Sequence, residues 1–253
     1  MSYKRSKYFT TSSKKKIKYL HIKKKSNITV VFFHGFMSNM TGAKPVAISK
    51  FCRKQKINFL KFEYSGHGKS SGKFIEGNIT KWTNESKELL KSKIKKNNKL
   101  IFIGSSMGSW IALNLYFKFR KQIKGFIGIA SAPEFLQKLM WNKFTNKIKN
   151  TILKKKIYNL DLGNYTYPIT KQLIFDGKKN KIFNKKIKDK IFVTLLHGQK
   201  DDVVPFKFSK KISKIFTRAT KNIIKIKNGD HSLSRNNDLE KICKELKKII
   251  VEI

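Results

Sequence analysis

The sequence predicts an α/β fold, with a mostly parallel central sheet, helices on both faces and a small, mostly helical insertion. Three observations predict it. Residues 28–33, 100–103 and 191–196 are short, continuous apolar runs rich in β-branched and aromatic side chains, the pattern of strands buried on both faces. Helix-length segments separate such runs in regular β–α alternation. One stretch, residues 133–190, breaks the alternation. The length of 253 residues suits one large domain with a sizeable core. The expected organisation is therefore a single domain over 1–253, with 133–190 as a lid insertion inside it.

In chain order, Ile17-Lys18-Tyr19-Leu20-His21-Ile22 alternates as a strand does, and Phe9-Thr10-Thr11 is its candidate hairpin partner. A strand over 28–33 precedes a helix over about 44–55, and a strand over 57–62 precedes a helix over about 80–95. The apolar run at 100–103 leads through a glycine-flanked turn into a helix containing residues 110–116. Strands follow over 125–130 and 191–196, then a helix over 205–216, a strand over 222–226 and a helix over 238–251. Trp82 and Trp110 read as core residues. The insertion carries Phe135, Leu139, Met140, Trp141 and Phe144, then Tyr158, Tyr165 and Tyr167. Open α/β sheets bind ligands at their C-terminal edge, so a segment inserted there is placed to form a lid. Trp141 is its candidate substrate-binding residue.

Composition narrows the function classes. The net charge is +43, but only five of the 58 basic residues are arginine, and the lysines are spread along the whole chain. Dedicated phosphate readers favour arginine for its bidentate fork. The chain is also rich in Ile, Asn and Phe, which share A/T-rich codons with lysine. No specific nucleic-acid partner is expected, only nonspecific attraction to anionic surfaces at low salt. No apolar run reaches eighteen residues, so no membrane-spanning helix is expected. The first 25 residues are basic and acid-free, as a transit peptide is, but they lack a signal peptide's apolar centre and read better as strand. Cys52 and Cys243 stand in no metal or redox spacing and read as free thiols of a reducing, cytoplasmic compartment.

The chemistry centres on Gly104-Ser105-Ser106-Met107-Gly108, a G-x-S-x-G turn between strand and helix. Such a turn thrusts the serine hydroxyl clear of the backbone and places it at a helix N-terminus, whose N–H groups favour a developing oxyanion. A serine needs a base, and the base needs a carboxylate that fixes its tautomer. Of five histidines, only His197 and His231 follow Ser106. His231, after the last strand, stands where a base belongs, whereas His197 precedes the candidate acid and has the wrong order. In Gly198-Gln199-Lys200-Asp201-Asp202-Val203-Val204-Pro205, spacing favours Asp201 as the acid, with Asp202 the alternative. Oxyanion donors are expected from the N–H groups of Met107 and Phe36, the latter in His34-Gly35-Phe36-Met37, where a small Gly35 lets the backbone approach. His34 and His67 read as structural loop residues. Each piece alone has a plainer reading: an ordinary turn, a helix N-cap or a solvated loop. Their order and their common position at strand ends favour one site.

Together these segments resemble the α/β-hydrolase superfamily over nearly the whole chain. The stretches His34-Gly35-Phe36-Met37-Ser38-Asn39-Met40-Thr41-Gly42, Tyr64-Ser65-Gly66-His67-Gly68-Lys69-Ser70-Ser71-Gly72 and Gly229-Asp230-His231-Ser232-Leu233-Ser234-Arg235 narrow the likeness. With the Ser106 and Asp201 motifs, they are similar to bacterial relatives of the mitochondrial palmitoyl-protein thioesterase of the α/β-hydrolase-domain group. That family removes S-acyl groups from protein cysteines and cleaves acyl glucuronide esters. The resemblance implies a Ser106–His231–Asp201 triad, a structural N-terminal hairpin, no metal or organic cofactor, and a small acyl ester or S-acylated protein as substrate. The sequence departs from the family at Ser109, usually glycine, at Glu63, usually aspartate, and through the lysine-rich insertion. A peptidase on the same triad, and a basic binding protein on a hydrolase scaffold, are the competing readings.

Overall fold

Clusters of β-branched and aromatic side chains set the strands, and polar caps start several of the helices between them. The computed structural model describes residues 6–161 and 165–253. In chain order it has β1 (Lys7–Thr10), β2 (Lys16–Ile22), β3 (Ile28–Phe33), α1 (Ala43–Lys54), β4 (Asn58–Phe62) and α2 (Ile79–Lys93). Then come β5 (Lys99–Ser105), α3 (Met107–Phe119), β6 (Ile123–Ile129), α4 (Asn146–Lys155), β7 (Ile157–Asp161), β8 (Thr166–Thr170) and α5 (Lys171–Lys179). The chain closes with β9 (Phe192–Gly198), α6 (Lys207–Ile215), β10 (Thr220–Ile226) and α7 (Asn236–Glu252).

The main sheet runs β1-β2-β4-β3-β5-β6-β9-β10. Only β1–β2 and β2–β4 are antiparallel; every pair from β4 onward is parallel. The N-terminal hairpin expected from the alternation is present, and Ser12 ties it to α2 through two 2.7 Å hydrogen bonds to Glu88. Because residues alternate across a strand, each strand feeds two cores. Val31, Phe33 and Phe102 pack with Trp82, Trp110 and Phe208 from α2, α3 and α6 on one face. Val30, Phe32, Ile101 and Ile103 pack with Ile48, Ile242 and Leu246 from α1 and α7 on the other. Trp82 and Trp110 are fully buried, as expected, and their indole N–H groups donate to Ser65 O and Asn180 O. Cys52 and Cys243 are free thiols; burial, with Cys243 nearby, pushes the Cys52 thiol up. No helix among the described residues is long and apolar enough to cross a membrane.

The insertion is richer than the sequence suggested. It opens with short helical turns over Leu136–Met140 and Trp141–Lys143, then α4, and it also holds a two-stranded antiparallel ribbon, β7–β8, before α5. Pro168 hides that ribbon in the sequence, since proline is poor in a central strand but tolerated in a ribbon with free edges. Residues 162–164, between β7 and β8 in the chain, lie outside the described residues. At the base of the insertion, the carboxylate of Glu134 accepts from Ile182 and Phe183 N–H at 2.8 Å each, clamping its two ends together.

Candidate active site

Parallel strands release their loops at one edge, and four loops meet there. The first follows β3, the second is the β5–α3 turn, and the third and fourth follow β9 and β10. Ser106 sits in the second with φ 51° and ψ −119°, a strained conformation for a residue with a side chain. The flanking glycines are steric necessities. A Cβ on Gly108 would lie 2.1 Å from Phe33 O, and one on Gly104 would lie 2.4 Å from Ser109 Cα. Gly35 is different: a Cβ there would meet Ser105 O at 3.5 Å, an ordinary contact, so close approach alone does not demand glycine. Ser109 fits here because its hydroxyl reaches Gly104 O and Ser131 Oγ, both at 2.7 Å.

His231 reaches across from the β10 loop. Its Nε2 lies 3.2 Å from Ser106 Oγ and its Nδ1 lies 2.9 Å from Asp201 Oδ2. Asp201 Oδ1 accepts from Val203 and Val204 N–H at 3.0 and 2.8 Å. Burial opposes ionisation of Asp201, but the His231 hydrogen bond and the backbone donors outweigh it and hold the carboxyl below its usual range. Asp202, the alternative acid, is exposed to solvent. The loops carrying Asp201 and His231 are zipped together: Gln199 N–H donates to Ile226 O and Lys200 N–H to Gly229 O. Lys44 of α1 braces the far side of the His231 loop through Ser232 O and Ser234 Oγ.

The two candidate oxyanion donors flank Ser106 in the fold: Met107 follows it in the chain, and Gly35, which precedes Phe36, lies against it, a would-be Cβ there standing 3.6 Å from Ser106 Cβ. Met107 is the first residue of α3, so its N–H has no carbonyl partner within the helix. The Phe36 N–H belongs to the same peptide plane as Gly35 O, which accepts from His34 Nδ1 at 2.8 Å. Tyr64 N–H donates to His34 Nε2 at 3.4 Å, so the pattern assigns the Nδ1–H tautomer and a neutral ring. Burial first, then the nearby His67, keeps His34 far below the usual histidine range. His67 packs at about 5 Å from the rings of His34, Phe74 and Trp82, and burial lowers it to about 4. Both histidines are structural in geometry, as their loop positions suggested.

The wall beside the site is aromatic. Phe36 contacts Phe74 and Phe135 edge-on at 5.0 and 5.4 Å and stacks on Tyr167 of β8 at 5.8 Å. The insertion therefore reaches the candidate oxyanion loop through Phe135 and Tyr167, a role no spacing in the sequence announced. Trp141, the candidate substrate-binding residue, is half-buried in that insertion against Phe175 and beneath the Lys149 ammonium. Among the described residues there is no cluster of three or more potential metal ligands.

Comparisons with known proteins agree with the α/β-hydrolase fold. Residues 24–182 match the Hydrolase_4 family, described as serine aminopeptidase, S33. That span includes Phe36 and Ser106 and ends before Asp201 and His231. A mitochondrial palmitoyl-protein thioesterase of Bos taurus is 27% identical over 215 residues, covering 83% of this chain and 69% of the relative. A hydrolase from Agrobacterium vitis S4 superposes with a TM-score of 0.91 at 26% identity, covering 97% and 98% of the two chains. The alpha/beta hydrolase domain-containing protein 10 from mouse superposes with a TM-score of 0.88 at 25% identity, covering 98% and 99%.

Proposed function

Since the chain belongs to the Hydrolase_4 family of α/β-hydrolases, we propose that it is a serine hydrolase cleaving carboxylic ester or thioester bonds, an acyl thioesterase or carboxylesterase. The observation that carries this reading is the hydrogen-bonded series Ser106–His231–Asp201, at 3.2 and 2.9 Å. Ser106 attacks the acyl carbonyl as His231 takes its proton. Asp201 holds the imidazole in the Nδ1–H tautomer and stabilises the imidazolium. Met107 and Phe36 N–H groups receive the oxyanion, each such donor contributing about 10²–10³-fold to kcat. The leaving thiol or alcohol takes the proton from His231, and a water activated by the same base releases the acid.

Thioesters enter this reading through the palmitoyl-protein thioesterase relative, and the aromatic wall of Phe36, Phe74, Phe135 and Tyr167 offers apolar surface for an acyl group. The description of the matched family keeps a second reading, an aminopeptidase on the same triad. The experiment is intact-mass detection of fluorophosphonate labelling of wild type beside Ser106→Ala and His231→Ala, followed by turnover of acyl thioesters, p-nitrophenyl esters and aminoacyl p-nitroanilides. One adduct on wild type and none on either variant is the expected result, with turnover of esters and thioesters but not anilides. A folded wild type that takes no label would overturn the reading, and turnover of anilides alone would replace it with the peptidase.

A further inference from the structure

The insertion helps to form a cavity that the triad does not share. Its volume is about 630 Å³, inside the range of about 300–1,000 Å³ typical of small-molecule sites. None of Ser106, Asp201, His231, Met107 and Phe36 lines it. Its apolar walls are Ile75, in the short helical turn Phe74–Glu76, Ile157 at the start of β7, and Phe175 on α5. Gln172 Nε2 donates to Ile75 O at 2.6 Å and ties that turn to α5. Ile75 and Phe175 are each 41% exposed, so the walls present apolar surface to water.

Lys156 and Lys171 stand in the same lining, and they lack a counter-ion. Lys171 N–H donates to Lys156 O at 2.8 Å, which keeps the two residues side by side. The charge of Lys156 holds the Lys171 ammonium below the usual lysine range. Among the described residues, neither lysine is ion-paired with a carboxylate. The acids on the lining elements are engaged elsewhere or stand apart. Glu76, next to Ile75, binds Lys15 at 3.0 Å. Asp176 of α5 accepts from Thr80 N–H at 2.9 Å and from Asn180 at 3.2 Å. Asp161 is at the far end of β7 from Ile157. Lys171 Nζ lies 5.8 Å from the centre of the Phe175 ring, so positive charge borders directly on apolar wall.

We propose that this cavity is a second ligand site, which takes a single-chain fatty carboxylate with its chain against Ile75, Ile157 and Phe175 and its head between Lys156 and Lys171. The choice of a carboxylate rests on the hydrolase reading above, since a fatty acid is what cleavage of an acyl ester or thioester releases. An apolar wall alone would take any alkyl chain, and a lysine pair alone would take any small anion. Their juxtaposition selects a molecule that has both.

The experiment is calorimetric titration with decanoate, butyrate, 1-decanol and decyl phosphate, each kept monomeric. Every carboxylate feels the net charge of +43, so a gain from butyrate to decanoate isolates the apolar wall. Wild type should bind decanoate about tenfold or more tightly than butyrate, and about fivefold more tightly than 1-decanol. The double variant Lys156→Gln/Lys171→Gln should bind decanoate no better than 1-decanol. Lys178→Gln/Lys179→Gln removes the same charge from the other end of α5 and should match wild type. Equal affinities of the two double variants, or no gain from butyrate to decanoate, would overturn the site. Decyl phosphate binding tenfold tighter than decanoate would overturn the carboxylate. Binding needs no turnover, so a chain that binds decanoate as expected yet takes no fluorophosphonate label fails the hydrolase reading and keeps the cavity as a carboxylate site.

Discussion

Ser106 and Asp201 illustrate different kinds of local control. The serine is held by sterics: Gly104 and Gly108 have no room for a Cβ, and the turn they permit puts Ser106 at positive φ, a strain on the order of 1–3 kcal/mol that the surrounding core must offset. The aspartate is held by donors. Backbone N–H groups of Val203 and Val204 bind one oxygen, and His231 binds the other. Asp202, one residue on, has none of this and faces solvent. In Asp201→Asn an amide NH₂ must face a donor, which misplaces the tautomer of His231, so kcat on a p-nitrophenyl ester should fall about 10³–10⁴-fold. Asp202→Asn, a surface change, should stay within about twofold of wild type. Equal losses in the two variants would remove Asp201 from its role. The serine, Asp201 and His231 were legible from residue type and order. That the N–H groups of Val203 and Val204 hold Asp201 was not, because the turn that brings them to its carboxylate forms only when the loop folds back.

At the scale of elements, the site depends on β9 and β10 ending level with each other. Gly198 pairs with Ile226 at the last register position, and the loops beyond them are hydrogen-bonded across. A Cβ on Gly198 would lie 2.3 Å from Asp230 O and 2.4 Å from Gly229 O. Both atoms are backbone of the His231 loop, so Gly198→Ala must push Asp201 and His231 apart. It should cost about 1–3 kcal/mol or more in stability and abolish fluorophosphonate labelling. Gly42, ahead of α1, has nothing within 4 Å of its would-be Cβ, and Gly42→Ala should cost less than about 1 kcal/mol and leave labelling intact. Urea melts and intact mass would check both, and a fully labelled, wild-type-stable Gly198→Ala would refute the argument. Strand and helix positions in the sheet were legible because β-rich runs and helical segments alternate so regularly. The β7–β8 ribbon was not, since five-residue strands, one carrying Pro168, give too short a pattern to separate from a loop.

Across the whole molecule, buried histidines couple stability to pH. His67 titrates at about 4 in the folded chain against 6.5 when free. Between those values the unfolded chain binds the extra proton, so stability is complete above about pH 6.5 and falls as the pH drops toward 4. That shift corresponds to a loss on the order of 3 kcal/mol, about 2 of it between pH 7 and pH 5. His34, lowered by burial and by His67 itself, acts in the same direction. His67→Phe, which keeps an aromatic ring among Phe74, Trp82 and Tyr64, should lose less stability than wild type from pH 7 to pH 5 in urea melts. A variant that loses as much as wild type would place the acid sensitivity elsewhere. The charge of +43 is a whole-chain property of another kind: it raises self-repulsion and attraction to anionic surfaces, and it says nothing about fold.

The sequence by itself determined the α/β alternation, the glycine-flanked serine turn, and the order of the candidate nucleophile, acid and base. Each is a local property, carried by hydrophobic period, glycine sterics or residue type at a strand end. Only the tertiary structure decided which aspartate meets His231, how His34 orients the peptide that carries Phe36 N–H, and that Phe135 and Tyr167 reach across to Phe36. Those contacts join residues far apart in the chain, at distances of a few ångströms that no local pattern encodes. They exist because parallel strands deliver distant loops to one edge, and packing there selects one arrangement.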